Sequence, residues 1–234
     1  METFKFNGVQ TNLEESMFER LLSLPLFQGL STEELLRIIE CAKFEFSSEF
    51  KYEVLLRQGD SLSKLTFLLQ GEVIFEKICN DGLKVVEYFS APYVFFPQCL
   101  FGKRAKSDYT VISDTDVTIL EVSKQEVQSQ LMKFYVFRLS MLNFICSMAE
   151  VNERPLCVND CLENRIVWEF CQLFYSKVGR KELHVGMQQL ANRLNASRLG
   201  VSRALHTLEN QGLLVLSREK IEIPFAERLL EKIF

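Results

Sequence analysis

Two serine–arginine pairs, five residues apart, are the most chemically specific feature of the sequence. Ser197-Arg198 and Ser202-Arg203 lie within one short segment. A guanidinium group presents a planar fork of donors that matches the two acceptors on the major-groove edge of guanine, and it keeps its charge when it is desolvated. A serine hydroxyl at the start of a helix caps the helix and can hold a phosphate there. These residue types at this spacing indicate recognition of a nucleic acid.

Two short helices must position these arginines, and the spacing of apolar residues predicts both. A first helix is predicted over residues 186–194 and a second over residues 197–209. Asn195-Ala196 is predicted to form a tight connection between them. Each helix has one apolar face whose positions are three or four residues apart. These positions are Leu190, Ala191 and Leu194 in the first helix and Val201, Leu205 and Leu208 in the second. Small Ala191 lets the two helices cross closely, so we expect a helix-turn-helix.

Two short strands follow the second helix. Leu213–Val215 and Lys220–Ile223 are apolar runs around a polar turn, and they predict a β-wing. In a winged helix-turn-helix, side chains from the N-terminal part of the second helix reach base edges in the major groove, and basic wing residues attract phosphates regardless of sequence. The side chains expected to contact DNA are Gln188, Ser197, Arg198, Leu199, Ser202, Arg203, Ser217, Arg218 and Lys220.

The net charge of the 234-residue chain is −4, so attraction to a nucleic acid must come from a local patch. Residues 155–234 contain 11 Lys/Arg and 9 Asp/Glu, a net of +2, which leaves −6 for residues 1–154. The composition, 47% hydrophobic and 25% charged, is that of a packed globular protein. The chain has neither an apolar run of membrane length nor a signal-peptide pattern, so a cytoplasmic location without membrane contact is expected.

Alternating apolar residues predict short strands over residues 44–122. Turn signals separate these strands, among them Gly59-Asp60, Gly71-Glu72 and Asp81-Gly82. Many short strands with such turns between them predict an antiparallel β-roll. Ahead of the roll, Ser31 and Glu34 have the spacing of a capping box, which predicts the start of a helix.

A long helix is predicted over residues 124–153, which contain no Gly or Pro. One apolar stripe has the spacing of a heptad seam: Phe134, Phe137, Met141, Phe144, Met148 and Val151. A second stripe lies on the other flank: Leu131, Tyr135, Leu142, Ile145 and Ala149. We expect the first stripe to be the seam of a homodimer, and the alternative is a single helix buried in the core. Pro155 ends this helix and gives a hinge.

Three segments of the sequence resemble motifs of the Crp/Fnr family of bacterial transcription regulators, and they occur in the same order as in that family. They are Leu24–Ser31, Gly59-Asp60 with Leu65–Val73, and Ala196–Leu205. The resemblance spans almost the whole chain. It implies a homodimer that binds a two-fold-symmetric site on double-stranded DNA and recruits or obstructs RNA polymerase.

The combined prediction is an α+β fold in three parts. Residues 1–123 form an N-terminal helix and a β-roll sensor domain that resembles the cyclic-nucleotide-binding jelly roll. Residues 124–154 form the long dimerisation helix and the hinge, and residues 155–234 form the winged helix-turn-helix DNA-binding domain.

Part of the second helix matches the family's DNA-reading motif. Arg198 and Arg203 occupy the positions at which the family places its base-contacting arginines. Leu199 stands where members of the cyclic-AMP type place a glutamate that accepts a hydrogen bond from cytosine. Because a leucine side chain cannot accept a hydrogen bond, a different half-site is expected, with contact to a thymine methyl as one possibility.

The sensor motif of the family is altered. Pro97-Gln98 replaces the Gly-Glu of the phosphate cassette, and no Arg-Ser pair follows, so cyclic AMP is disfavoured as the effector and no cofactor is evident. The other residues at matching positions form a candidate effector pocket: Gln98, Cys99, Lys103, Arg104, Lys106 and Glu150. Its basic residues could hold an anion or form a solvated turn, and Cys99 could be a thiol sensor. The aromatic residues of the roll are either core or the lining of an apolar effector pocket.

Neither a disulfide framework nor a metal site is expected from seven scattered cysteines and two histidines. An enzyme is disfavoured, because the sequence has no Ser/His/Asp set, no glycine-rich phosphate loop and no His-rich metal motif. The hypothesis is a regulator in which an effector or redox event in the roll repacks the long helix and re-aims two DNA-reading helices. The alternative is an interaction module of the same fold with a degenerate sensor and no regulated DNA binding.

Overall fold

The computed structural model describes residues 18–102, 105–149 and 161–233 of the chain. The chain divides into two compact units. The first unit consists of Met1–Val73 and Phe89–Glu150, and the second consists of Ile74–Tyr88 and Val151–Phe234. A short segment from the middle of the N-terminal half therefore lies with the C-terminal part of the chain.

Antiparallel strands with helices before and after them form the first unit, as the sequence predicts. The named helices among its described residues are α1 (Thr32–Cys41), α2 (Pro97–Leu100), α3 (Lys124–Ser129) and α4 (Tyr135–Ala149), and residues 18–23 are also helical. Its strands are β1 (Glu45–Glu49), β2 (Val54–Leu56), β3 (Lys64–Gln70), β6 (Tyr93–Phe95), β7 (Thr110–Ser113) and β8 (Val117–Ser123). Strands β4 (Glu72–Ile78) and β5 (Lys84–Ser90) run from one unit into the other along the chain.

One antiparallel sheet of the first unit has the strand order β1-β8-β3-β6. Leu120 at its centre pairs with Phe46 on one side and Phe67 on the other. The ring of Phe67 is 5.4 Å from the ring of Phe27, which is 5.5 Å from the ring of Phe137. The apolar face of the alternating strands thus covers an aromatic core, and the predicted β-roll of an α+β fold is confirmed.

The predicted capping box at the start of α1 is present. Ser31 Oγ accepts a hydrogen bond from the backbone amide of Glu34 at 3.2 Å, and the amide of Ser31 donates to Glu34 Oε2 at 2.9 Å. Two amides that have no partner within the helix are satisfied in this way. Leu35 and Ile38 are then directed into the core.

The prediction of one continuous helix from residue 124 is wrong. Helix α3 is followed by a 3₁₀ turn at Leu131–Lys133, and Phe134 is extended, with φ −83° and ψ 124°. The chain bends by 119° between the segments Lys124–Lys133 and Tyr135–Met148. A straight helix over residues 124–149 would be about 39 Å long and would outreach one small core. The bend lets Val127 and Phe137 enter the same core.

The predicted dimer seam is wrong in two of its central residues. Phe137 and Met141 have exposed fractions of 0% and 3% and pack in the core of the first unit. Phe134, Phe144 and Met148 are half-buried, and Val151 lies outside the described residues. The second stripe contains the outward-facing residues of α4, since Tyr135, Leu142 and Ile145 are exposed there. Its first member, Leu131, is buried.

The second unit contains the predicted helix-turn-helix and wing. Its helices are α5 (Leu162–Leu173), α6 (Met187–Arg193), α7 (Arg198–Asn210) and α8 (Ala226–Leu230), and its strands are β9 (Lys181–His184), β10 (Val215–Ser217) and β11 (Lys220–Ile223). Phe170, Leu190, Val201 and Leu205 lie in its core. Strands β10, β11, β9 and β5 follow one another in its antiparallel sheet.

The compact units differ from the predicted domains 1–123, 124–154 and 155–234, which are continuous stretches of chain. Residues 124–150 belong to the first unit with the roll, and Ile74–Tyr88 belongs to the second unit, to whose core it contributes Leu83 and Val85. Pairing between distant strands brings this segment there, and no local pattern in the sequence predicts that pairing. The predicted hinge at Pro155 lies outside the described residues.

Within the described ranges, no single helix is long and apolar enough to cross a membrane. The bent pair Lys124–Lys133 and Tyr135–Met148 reaches the required length and composition only when both parts are taken together.

Candidate nucleic-acid interface

Helix α7 begins at a serine cap. Ser197 Oγ accepts a hydrogen bond from the amide of Gly200 at 3.1 Å. Space beside Gly200 is tight, because an added Cβ would lie 3.0 Å from Ser197 Oγ and 3.3 Å from Leu162. Asn195, in the tight connection that the sequence predicts, has φ +46°, a left-handed conformation that asparagine tolerates. These local features fix where the first turn of α7 starts and which way it points.

The first two turns of α7 present the predicted reading residues outwards. Arg198, Leu199 and Arg203 are exposed, and Ser202 is half-buried. The opposite face buries Val201, Ala204, Leu205 and Leu208 in the core. Among the described residues, neither guanidinium group has a carboxylate within 4.0 Å. Both groups can therefore donate to an acceptor from outside the chain.

The wing lies beside the start of α7. A cavity of about 320 Å³ is lined by Arg198 from the helix and by Ser217, Arg218, Glu219 and Lys220 from the wing. Glu219 has φ +57° at the tip of the turn, and its carbonyl accepts a hydrogen bond from the amide of Val185 at 3.0 Å. The structure thus brings four of the predicted DNA-contacting side chains to the wall of one groove, although they are up to 22 positions apart in the chain.

Lys220, which the sequence predicts as a DNA-contacting residue, is paired with two carboxylates of the wing sheet. Its ammonium nitrogen is 2.6 Å from Glu222 Oε1 and 3.0 Å from Glu182 Oε2. Hydrogen bonds to Glu222 and Glu182 raise the pKa of Lys220 above its usual value. The two carboxylates offset its charge, so Arg218, which is exposed, is the basic side chain that the wing presents.

Gln188 lies on the exposed surface of α6. Its Nε2 donates to Oδ1 of Asn192, one turn further along the helix, at 2.9 Å. This bond holds the amide side chain along α6, within the helix-turn-helix but outside the set of side chains that line the groove.

A residue that the sequence does not single out ties the wing to the reading helix. Glu209, near the end of α7, accepts a hydrogen bond from the backbone amide of Leu216 in β10 at 2.9 Å. His206 Nδ1 lies 3.1 Å from its other carboxylate oxygen. The bond from Leu216, followed by the contact with His206, lowers the pKa of Glu209. Glutamates are common near helix ends, so the sequence does not single out Glu209. Its role is visible only in the folded structure, where it accepts the hydrogen bond from β10.

The structure describes three of the six residues of the candidate effector pocket. Gln98 and Cys99 are half-buried in the short helix α2, whereas Lys106 is exposed and pairs with Ser61 in a single β-bridge. Burial raises the pKa of the Cys99 thiol, which makes it less reactive than a free thiol. Lys103, Arg104 and Glu150 lie outside the described residues. In the part of the chain that is described, no three His, Cys, Asp or Glu side chains form a metal-binding group.

Two family models match the chain, one in each part. A Crp-like helix-turn-helix domain matches residues 164–232, and a cyclic nucleotide-binding domain matches residues 51–134. Both describe binding domains rather than an enzyme, in agreement with the prediction. No curated protein matches the sequence.

Three solved structures are similar to the chain, and the first of them shows that the fold is shared. The catabolite activator protein of Thermus thermophilus is 18% identical, with 89% of this chain matched to 97% of that one at a TM-score of 0.52. DNR of Pseudomonas aeruginosa is 20% identical, with 97% and 100% of the two chains covered at a TM-score of 0.46. The c-di-GMP responsive regulator CLP of Xanthomonas campestris is 18% identical, with 83% and 99% covered at a TM-score of 0.44. A cyclic nucleotide-binding domain followed by a Crp-like helix-turn-helix identifies the chain as a DNA-binding transcription regulator of the Crp/Fnr family.

Proposed function

We propose that the chain is a sequence-specific, homodimeric regulator whose β-roll responds to an effector other than cyclic AMP. The observation on which the proposal depends is the outward face of α7, where Arg198 and Arg203 are exposed and have no carboxylate partner among the described residues. Arg218 of the wing lines the same groove as Arg198, and the serine cap of α7 directly precedes Arg198. In this proposal the protein acts in the cytoplasm and has RNA polymerase as a further partner.

Sequence recognition rests on two kinds of contact. Arg198 and Arg203 donate in pairs to N7 and O6 of guanine, as a guanidinium fork can. Leu199 has 61% of its surface exposed and offers an apolar contact to a thymine methyl. Ser197, Ser202, Gln188, Ser217 and Arg218 contact the sugar–phosphate backbone or the edges of neighbouring bases.

A homodimer would use the exposed face of α4 rather than the predicted seam. Tyr135, Leu139, Leu142 and Cys146 are exposed and follow one another at gaps of four, three and four residues, which is heptad spacing. Helix α4 is apolar on both its buried and its exposed side, as expected of a helix that is covered on both. A two-fold pair of such helices would present two α7 helices to major grooves about 34 Å apart.

The altered cassette supports an effector other than cyclic AMP. Pro97 begins α2 and is buried, so this turn has neither a flexible glycine nor a glutamate to accept from a ribose. Phe96, immediately before it, has φ +46° and ψ +45°, and its ring stacks on Tyr109 at 5.8 Å. Aromatic packing therefore occupies the start of the turn that carries the phosphate-binding residues in cyclic-nucleotide binders.

Binding to selected DNA tests the proposal. A duplex selected by the protein from a random-sequence pool serves as the probe, and affinity is measured by fluorescence anisotropy. Arg198→Ala and Arg203→Ala should each weaken binding by about 1–3 kcal/mol. Arg228→Ala serves as the matched control, because Arg228 is exposed on α8 and stacks over Phe225 at 4.8 Å. Wild-type affinity in both reading-helix variants would overturn the proposal.

The salt dependence of DNA affinity distinguishes the proposed regulator from the alternative, an interaction module. A DNA binder loses affinity steeply and linearly in the logarithm of salt concentration as phosphate counterions are released. An interaction module would select no duplex from the pool and would show no such dependence. Its basic wing residue Arg218 would then have no measurable role.

A further inference from the structure

The hairpin at Ile74–Tyr88 extends the sheet of the winged helix. Strand β5 pairs with β9 in antiparallel register over four residue pairs, including Val85 with Leu183 and Glu87 with Lys181. Strand β9 pairs on its other side with β11 of the wing. Because β9 has a neighbour on both sides, its backbone groups are satisfied by the hairpin as well as by the wing.

A buried ion pair fixes this register. Glu87 Oε2 lies 2.8 Å from Lys181 Nζ, and neither side chain is exposed to solvent. The same carboxylate accepts hydrogen bonds from the backbone amides of Tyr175 at 2.6 Å and Ser176 at 3.1 Å. A buried carboxylate with three donors is well satisfied, whereas loss of one charge would leave the other unpaired at a large cost.

The tip of the hairpin contacts the first helix of the helix-turn-helix. Arg193, the last residue of α6, donates from Nη1 to Asp81 Oδ2 at 2.7 Å. The Nε2 of Gln189 donates to the backbone carbonyl of Asp81 at 2.7 Å. Arg193 also bonds Glu169 of α5 from Nε and Nη2, at 2.9 and 2.6 Å. Asp81 therefore joins α6 to the hairpin through a side chain that is itself held by α5.

The hairpin also supplies part of the core beneath the reading helix. Leu83 and Val85 are fully buried in the same cluster as Val201 and Leu205 of α7, and Cys79 packs against that cluster. The ring of Phe75 lies 5.7 Å from that of Tyr175, in the loop after α5. Apolar contacts thus reinforce the polar ones along the length of the hairpin.

We propose that the hairpin is a positioning element for DNA reading, with Asp81 and Glu87 as its positioning residues. The inference rests on the proposed function of α7. The DNA-reading unit of this protein is then discontinuous in sequence, and the segment 155–234 is incomplete without residues 74–88. Asp81 holds α6 and Glu87 holds β9, so that α7 keeps the orientation in which Arg198 and Arg203 reach the groove.

Two single variants of the full-length protein test this role. Asp81→Asn keeps the shape of the side chain and removes its charge at the hairpin tip. Glu87→Gln leaves the Lys181 ammonium without its counter-charge inside the unit. The matched control is Asp114→Asn, since Asp114 also pairs with a lysine, Lys51 at 4.0 Å, but lies in the first unit. Amide hydrogen exchange of α6, α7 and β9 is measured together with affinity for the selected duplex.

We expect Asp81→Asn to weaken DNA binding about 2–5-fold and to speed exchange in α6 to a similar degree. Glu87→Gln should speed exchange in β9 on the order of 10²–10³-fold. If Glu87→Gln does not fold, Glu87→Gln combined with Lys181→Met removes both charges from the buried site. The double variant should recover protection in β9 and α7 if the penalty comes from the unpaired lysine.

Several results would overturn the inference. One is wild-type exchange in α6, α7 and β9 of both single variants. Another is faster exchange confined to β5 and β9, with α6, α7 and the affinity for the duplex unchanged, because the hairpin would then dock without positioning anything. If the wild-type protein selects no duplex, the proposed function fails, while the exchange data still decide whether the hairpin supports α6 and α7.

Discussion

The ammonium nitrogen of Lys220 lies 3.0 Å from Oε2 of Glu182, on the neighbouring strand of the wing sheet. Glu182 also accepts from Arg180 Nη2 at 2.6 Å and from the hydroxyl of Tyr88 at 2.9 Å. This buried carboxylate collects three donors at the base of the wing. The charge that the wing can offer to DNA is therefore set by Arg218.

The two basic wing residues should differ in their contribution to salt dependence. Arg218→Ala should reduce the slope of log affinity against log salt by about 1, since one phosphate contact is lost. Lys220→Ala should change the slope less, because Glu182 and Glu222 already neutralise that charge. Anisotropy titrations over a series of salt concentrations measure both slopes. Equal losses in the two variants would contradict the role assigned to the glutamates.

The hydroxyl of Tyr88 should lose its proton at a higher pH than an ordinary tyrosine does. Burial, followed by its hydrogen bond to Glu182, raises the pKa of Tyr88 from 10.0 to about 12. The folded-state pKa lies above the unfolded one, so this group contributes stability that is complete below pH 10.0 and is lost as the pH rises through about 12. An ultraviolet titration of tyrosinate should show a late component from Tyr88, and Tyr88→Phe should remove that contribution.

A tyrosine in the first unit provides the comparison. Tyr52 is 69% exposed, and Tyr52→Phe should leave the late component in place. Persistence of that component in Tyr88→Phe would show that its origin lies in another residue.

A charge on the exposed face of α4 should dissociate the proposed dimer. Leu142 is 56% exposed, so Leu142→Glu adds no strain within the chain but puts two like charges into a two-fold interface. Analytical ultracentrifugation should show a monomer with an intact fold. Leu36→Glu is the matched control, since Leu36 is 48% exposed on α1 and should leave the dimer unchanged. A Leu142→Glu protein that remains dimeric would rule out this face.

Cys146 reports on the same interface. It is exposed on α4, and in the proposed two-fold dimer its heptad position would place it near its own copy. Oxidation by diamide, which takes up the two electrons and two protons released by two thiols, should give a disulfide-linked dimer. Cys146→Ser should abolish this product although Cys41 and Cys161 are also exposed.

Two glycines with the same φ angle should tolerate alanine differently. Gly71 and Gly59 both have φ +93°, a conformation that costs an alanine about 1–2 kcal/mol. A Cβ on Gly71 would also lie 2.5 Å from the carbonyl oxygen of Asp116, whereas a Cβ on Gly59 would meet no atom within 4 Å. Gly71→Ala should therefore lower the free energy of unfolding more than Gly59→Ala, as measured by chemical denaturation. Equal losses of unfolding free energy in the two variants would show that the backbone near Asp116 shifts to make room for the added Cβ.

The sequence predicted the helix-turn-helix well because its signals are local. The cap at Ser197, the left-handed turn at Asn195 and the apolar positions of α7 all act within a few residues of one another. The outward face of α7 follows from the same periodicity, since the residues that are not buried must point away. Arg198 and Arg203 could therefore be placed on that face from the sequence alone.

Predictions from local sequence patterns were wrong where a side chain can pack against more than one distant part of the structure. Phe137 and Met141 belong to an apolar stripe with heptad spacing, yet both are buried in the core of the first unit. Tyr135 and Leu142, on the other flank of α4, are exposed. Spacing shows that a helix has two apolar flanks but does not show which flank meets its own chain. The break at Phe134 settles this, because it turns α4 back onto the core.

The sequence by itself determined the order of the elements, the β-roll and the exposed reading face of α7, because hydrophobic periodicity, caps and turns are set by neighbours along the chain. Only the tertiary structure decided that Glu182 and Glu222 hold Lys220, and that Glu87 of the hairpin pairs with Lys181. The reason is physical: a charge is neutralised by whichever opposite charge the fold brings within about 4 Å, and strand pairing between residues 84–87 and 181–184 sets that distance across almost a hundred residues of chain.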